Sequence, residues 1–267
     1  MPVTFVGCFL PIAMPIIEGQ DSLFLLALFV AATVAMDSRK ELRAGSLVGL
    51  TLFKFQYALP VVILFLLWRR WRFLAGVAIS ASVVLGVSVW LVGFSGMLSY
   101  LHALADMSAN FSDANRVLYE IHPEGMPNLR GLAYVLSGRA TVPTHWITVG
   151  LSAVVFLWAA FKRPSLPGAL LAALLVSYHQ IISDTSLLVA PLGLILAGCA
   201  DQTTIRRSSL AVLGCVGFIG PAVLLFTPAR FYLLAVPVLG LYTLWDGTYL
   251  SHKKGGQGIS RPQKETN

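Results

Sequence analysis

The chain has 267 residues, 57% of them hydrophobic and 12% charged, with a mean hydropathy of +0.77, whereas a soluble domain carries about 25% charged residues. A water-soluble globule is therefore excluded, and so are collagen-like or disordered chains, because the 23 Gly and 14 Pro are scattered through apolar segments. The formal charge of +7 does not point to nucleic acid, since the basic residues sit in short clusters between apolar runs, which is a signal of membrane topology.

The apolar runs fall at 2–17, 22–36, 44–53, 55–68, 73–95, 145–161, 167–178, 185–200, 208–227 and 231–246. They do not alternate as barrel strands would, so the expected fold is an all-α polytopic membrane protein with about 8–10 membrane segments. Pro11 and Pro15 interrupt the first run and no basic region precedes it, so a cleavable signal peptide is not expected. Cys8, Cys199 and Cys215 lie in or at the end of apolar runs and offer no disulfide framework and no metal-ligand spacing. No cofactor motif is present, neither a Gly-rich dinucleotide turn nor a P-loop.

An even number of runs returns the chain to its starting side. Fourteen Lys and Arg then share one face: Arg39, Lys40, Arg43, Arg69, Arg70, Arg72, Lys162, Arg163, Arg206, Arg207, Lys253, Lys254, Arg261 and Lys264. Five others (Lys54, Arg116, Arg130, Arg139, Arg230) do not. The positive-inside rule makes the first face, with both termini, cytoplasmic. The membrane domain is expected over 1–250, with 96–144 as one large outer loop able to pack as short helices over a cavity mouth, and 251–267 as a disordered basic tail near anionic lipid.

Two runs are too short to cross about 30 Å of hydrocarbon: 44–53 reaches about 15 Å and 167–178 about 18 Å. Each is expected to turn back partway, forming hairpins 44–68 and 167–200 that line a cavity open to the outer side. A single tilted helix over 44–68 is the alternative, and it would put Arg69, Arg70 and Arg72 on the wrong face. The two turns carry Lys54, Gln56 and Tyr57, and Ser177, Tyr178, His179, Gln180, Ser183 and Asp184.

Ionisable residues within a membrane are costly and usually functional, which singles out Lys54, His179 and Asp184. Glu18, Gln20 and Asp21 stand at the outer end of the first two runs, where the charges are equally readable as solvated loop residues. Asn128 and Arg130, in MPNLRGL, either cap a short helix or supply a guanidinium able to grip phosphate bidentately. The two polar turns are expected to meet, with Asp184 bonded to one of His179, Lys54 or Arg130. Lys54→Met is expected to leave folding nearly intact, because it removes an intramembrane charge.

Four blocks in order, EGQDSLFLLALFVAA, RAGSLVGLTLFKFQYALPVVILFLLWRRWR, MPNLRGLAYVL and SYHQIISDTSLLVAPLGLIL, resemble glycosyltransferase family 87 over roughly residues 8–200. The resemblance implies a GT-C-like helical bundle in the cytoplasmic (inner) membrane. It implies transfer of a hexose, typically mannose, from a polyprenyl-phosphate-sugar donor to a lipid or glycan acceptor on the outer side, within the cell envelope. It makes Gln20 the motif glutamine, Lys54 the cavity lysine and Asn128 with Arg130 the loop motif, together serving donor and phosphate binding, and His179 with Asp184 the catalytic pair. Family members usually begin with further helices and an early outer loop holding a catalytic Asp, so the chain is expected to be the carboxyl-terminal part of a longer enzyme. Two other readings fit the same residues: a transporter or flippase with Lys54, His179 and Asp184 as a relay, and a non-catalytic membrane scaffold.

Overall fold

The computed structural model describes residues 12, 15–17, 20–109, 122–138, 141–163, 165–198, 204–224 and 226–244. The tail 251–267, most of the run 2–17, Glu18 and the middle of the outer segment lie outside the described residues. Among the described residues the structure is helical and contains no strand, as the composition requires. The helices are α1 (Ser22–Asp37), α2 (Glu41–Leu50), α3 (Phe55–Leu67), α4 (Trp71–Ala109), α5 (Leu129–Leu136), α6 (Thr141–Lys162), α7 (Leu166–Val176), α8 (Val189–Gly198), α9 (Thr204–Leu224) and α10 (Ala235–Leu244). Tight 3-10 segments occupy Thr51–Lys54, Ile182–Leu188 and Pro228–Leu234.

Three stretches are long and apolar enough to cross a membrane: 41–67, 71–103 and 142–162. The first folds back on itself. A straight 27-residue helix would hold its ends about 40 Å apart, yet Arg70 Nη1 just beyond its end bonds Glu41 Oε1 at its start, 2.7 Å away. The fold-back point is the 3-10 segment 51–54, where Lys54 leaves helical geometry (φ −113°, ψ 65°). The expected hairpin is therefore present, and the single tilted helix is not.

α2 and α4 run parallel from the same face. Gly45 sits against the Phe73 carbonyl, Gly49 against Val77, and Ser80 Oγ donates to the Ser46 carbonyl at 2.7 Å. Small residues four apart allow this approach, as they do between membrane helices generally. The Trp68 indole donates to the Ala160 carbonyl at 3.3 Å, which sets the end of α6 beside the end of α3. The turns holding Arg39, Arg69 and Arg163 thus gather at one face. All three arginines adopt positive φ (58°, 56° and 47°), the left-handed region that glycine usually fills after a helix. At the first two, the next amide reaches back five residues, Lys40 N to Ala35 O and Arg70 N to Phe65 O, closing a Schellman-type turn.

α7 is buried along its length, Leu166 to Leu175, as befits a helix apolar on every side. α4 instead exposes Trp90 (82%) and Phe94 (70%), an outward apolar surface suited to lipid. It is kinked at Gly93 (φ 71°, ψ 169°), a conformation glycine adopts without Cβ strain. Beyond the kink it continues to Ala109, so the outer segment expected from residue 96, with its capacity for short helices, begins as a continuation of α4.

The α2–α4 contact yields a test. A Cβ on Gly45 would collide with the Phe73 carbonyl oxygen and one on Gly76 with the Leu42 carbonyl oxygen, whereas none would touch anything within 4 Å at Gly86. Gly45→Ala and Gly76→Ala should each cost about 1–3 kcal/mol, and Gly86→Ala should be close to neutral. Thermal unfolding in detergent micelles distinguishes them, and equal midpoints for Gly45→Ala and Gly86→Ala would refute the close packing.

Candidate active site

The polar centre forms where three apolar segments end. α1 begins at Ser22, the hairpin α2–α3 turns at Lys54, and the chain after α7 turns at 177–181 before the 3-10 segment that carries Asp184. α1 is 16 residues long, about 24 Å, so this centre lies about that far from the turn at Arg39.

Asp184 is 1% exposed and fully coordinated. Its Oδ1 accepts from Ser22 Oγ at 2.6 Å and Lys54 Nζ at 2.7 Å, and its Oδ2 from Tyr57 OH at 2.7 Å and, more weakly, from the Ile181 amide at 3.5 Å. Lys54 Nζ also meets Asp21 Oδ1 at 2.6 Å and Ser22 Oγ at 3.0 Å. An ammonium has three N–H donors, and these three oxygens account for them. The two carboxylates differ in access: the Asp184 side chain is 2% exposed and that of Asp21 is 47% exposed. Water or substrate therefore reaches Lys54 from the Asp21 side, at the end of α1 remote from the arginine turns.

The 177–181 turn is held from beneath by α5. Asn128 is fully buried; its Oδ1 caps α5 by accepting from the Gly131 amide at 3.1 Å, and its Nδ2 donates to the Ser177 carbonyl at 2.9 Å. Arg130 Nη1 donates to the Tyr178 carbonyl at 2.7 Å, and the guanidinium lies 3.9 Å over the Tyr178 ring. Arg130 also borders a cavity of about 280 Å³ shared with Tyr134, Thr144, His145, Thr148 and Tyr178. His179 is partly buried, within electrostatic reach of Arg130, Asp184 and Lys54. Nearby, Gln180 Oε1, Ser183 Oγ and Ser186 Oγ are buried with no hydrogen-bond partner among the described residues.

Of the residues singled out from the sequence, Lys54 and Asp184 are in direct contact, while Asn128, Arg130 and His179 surround the turn that leads to Asp184. The partner of Asp184 is Lys54, not His179 or Arg130. Gln20 is exposed; its backbone N–H donates to the Pro15 carbonyl at 2.8 Å, and it immediately precedes Asp21. Ser22 and Tyr57 escaped notice as partners of Asp184, although Tyr57 lies one helical turn beyond Lys54 and Ser22 adjoins Asp21. Among the described residues no cluster of His, Cys, Asp and Glu could hold a metal ion.

A helical membrane protein with a charged centre at the apex of a helical hairpin, beside the exposed Asp21, is the class that this geometry defines. Its family follows from comparison with known proteins: a family model, Glycosyltransferase family 87, matches residues 2–191. The chain belongs to that family, and glycosyltransferase activity is the family's chemistry. No curated protein and no solved structure matches the chain.

The geometry argues against the expectation that Lys54→Met leaves folding intact. With Lys54 removed, Asp184 would be a buried carboxylate facing Asp21 with no cation between them, and breaking one side of a buried pair costs about 3–5 kcal/mol. Lys54→Met should lower the unfolding midpoint sharply, and Lys54→Met combined with Asp184→Asn should recover most of the loss. If the double variant were no more stable than the single one, measured by fluorescence-detected thermal unfolding, the pair would not be what holds the centre together.

Proposed function

We propose that this protein transfers a hexose, of the mannose type, from a polyprenyl-phosphate carrier to a lipid or glycan acceptor at the outer side of the cytoplasmic membrane, within a GT-C-type architecture. The observation that carries the reading is the Lys54 centre, a cation held between the buried Asp184 and the exposed Asp21. A lipid-linked phosphate approaching from that side would displace Asp21 from Lys54, leaving the buried Asp184 contact in place. The leaving phosphate gains negative charge as the glycosidic bond breaks, and a fixed cation stabilises it more in the transition state than before it. Arg130, beside the cavity and fixed by the Tyr178 carbonyl, is the second cation of this arrangement.

In this reading Asp184 acts by orienting Lys54, since its four donors leave it no free lone pair suited to an acceptor proton. His179 is the base that takes the proton of the acceptor hydroxyl. Asn128 serves donor binding by fixing the 177–181 turn, and Gln20 by its place beside Asp21. The basic face, with both termini, is cytoplasmic.

Sugar transfer from polyprenyl-phosphate mannose in proteoliposomes tests the chemistry. His179→Ala should cut turnover by about 10²- to 10⁴-fold at unchanged levels of folded protein, and Arg130→Gln should chiefly raise the KM for donor. Wild-type protein that binds the donor lipid without transferring sugar would overturn the reading.

Orientation has its own test in a cysteine-free background. A cysteine at Leu136, which is 67% exposed, should react with a membrane-impermeant maleimide from outside intact cells. A cysteine at Ser38, in the turn before Arg39, should not, and the reverse pattern would invert the topology.

A further inference from the structure

The face opposite the entrance has a feature that sugar transfer does not use. The turns 36–41 and 69–72 border an open crevice of about 770 Å³ walled by Arg39, Arg69, Arg70 and Arg72 with Glu41 and Trp71. Arg70 is engaged by Glu41 at 2.7 Å. Among the described residues, Arg39, Arg69 and Arg72 have no carboxylate within ion-pair distance. Three like charges around one crevice repel one another, so the arrangement is stabilised by an anion. Two of the three, Arg39 and Arg69, stand at positive φ, where glycine would end the helix with less strain; arginine there aims a guanidinium that glycine could not supply.

We propose that this crevice binds the headgroup of an anionic phospholipid, preferably one with two phosphates, as in diphosphatidylglycerol. The membrane level supports a lipid over a soluble anion. Trp71 is 64% exposed at the rim, and Leu66 and Leu67 are 49% and 54% exposed immediately before the turn, so the crevice lies where an outward apolar surface gives way to charge. Aromatic side chains favour that interface. A guanidinium fork matches a phosphodiester in bidentate fashion, and basic pockets between membrane helices are established binders of such headgroups. Two phosphates can each engage a different arginine, and Glu41 is neutralised by Arg70 and does not oppose them.

The test is the thermal midpoint of the purified full chain in neutral detergent, titrated separately with phosphatidylcholine, diphosphatidylglycerol and inorganic phosphate. Diphosphatidylglycerol should raise the midpoint at concentrations where the other two leave it unchanged. The concentration required should rise about fivefold for each arginine removed, hence about a hundredfold in Arg39→Gln/Arg69→Gln/Arg72→Gln. Should that variant fold poorly, Arg39→Lys/Arg69→Lys/Arg72→Lys keeps the charge but loses the fork, and should still require several-fold more lipid. Arg43→Gln/Lys162→Gln/Arg163→Gln, on the same face but outside the crevice, should respond as wild type. An equal response to inorganic phosphate, an undiminished response in the crevice variants, or an equal loss in the control variant would each overturn the proposal, the last by assigning the effect to diffuse surface charge.

Discussion

A single ammonium group holds together three segments that apolar packing alone would leave indifferent to one another. Lys54 Nζ touches Asp184, Asp21 and Ser22, and through them joins the apex of the α2–α3 hairpin, the start of α1 and the 3-10 segment after α7. An isolated carboxylate in a low-dielectric interior would be prohibitively expensive, so the burial of Asp184 is tolerable only if the ammonium arrives. The ammonium arrives only if the hairpin turns at residue 54. The depth of the turn, the length of α1 and the placement of the 181–184 turn are therefore one constraint and not three. Such a pair is weak evidence of net stability, because well-packed apolar residues often do as well; what it secures is register.

Re-entrant segments raise a second problem, since backbone groups released at a turn within the membrane need partners. The carbonyls of Ser177 and Tyr178 would be orphans after α7. They are met by side chains from α5, Asn128 Nδ2 and Arg130 Nη1. The short helix is in turn capped by the same Asn128 through Gly131. The PNLRGL motif thus satisfies its own helix start and the neighbouring turn with two side chains. At the hairpin apex the 3-10 segment Thr51–Lys54 does the equivalent work, with Thr51 Oγ1 donating to the Val48 carbonyl at 2.6 Å. Irregular backbone at membrane depth is viable only where protein meets it in this way.

The first hairpin was legible because length is a hard limit: the ten apolar residues of 44–53 do not span a bilayer, and charge placement then decides where the chain turns. Lys54 and Asp184 were legible because a charge inside an apolar run has few innocent explanations. Ser22 and Tyr57 were not, since a lone hydroxyl in a membrane helix carries no sign of what it faces, and the pairing spans 162 residues for Ser22 and 127 for Tyr57. That 96–109 continues the preceding helix, instead of starting separate short helices, was not legible, because the apolar run ends at 95. The structure argues against the tolerance expected of Lys54→Met for a related reason: an unpaired intramembrane charge is costly on either side of a pair, and Asp184 carries that cost when the lysine is gone.

The charge balance at the centre bears on how the proposed donor would bind. One ammonium stands between two carboxylates, so the Lys54 cluster taken alone is net negative and offers no long-range attraction to a phosphate. Lys54 then acts at short range, by exchanging the exposed Asp21 for phosphate, an exchange that leaves the net charge around it nearly unchanged and so requires little reorganisation of the buried centre. Asp184, sealed by Ser22 and Tyr57, stays in place throughout. A cation fixed in this way by a buried carboxylate is most useful where negative charge develops as a bond breaks.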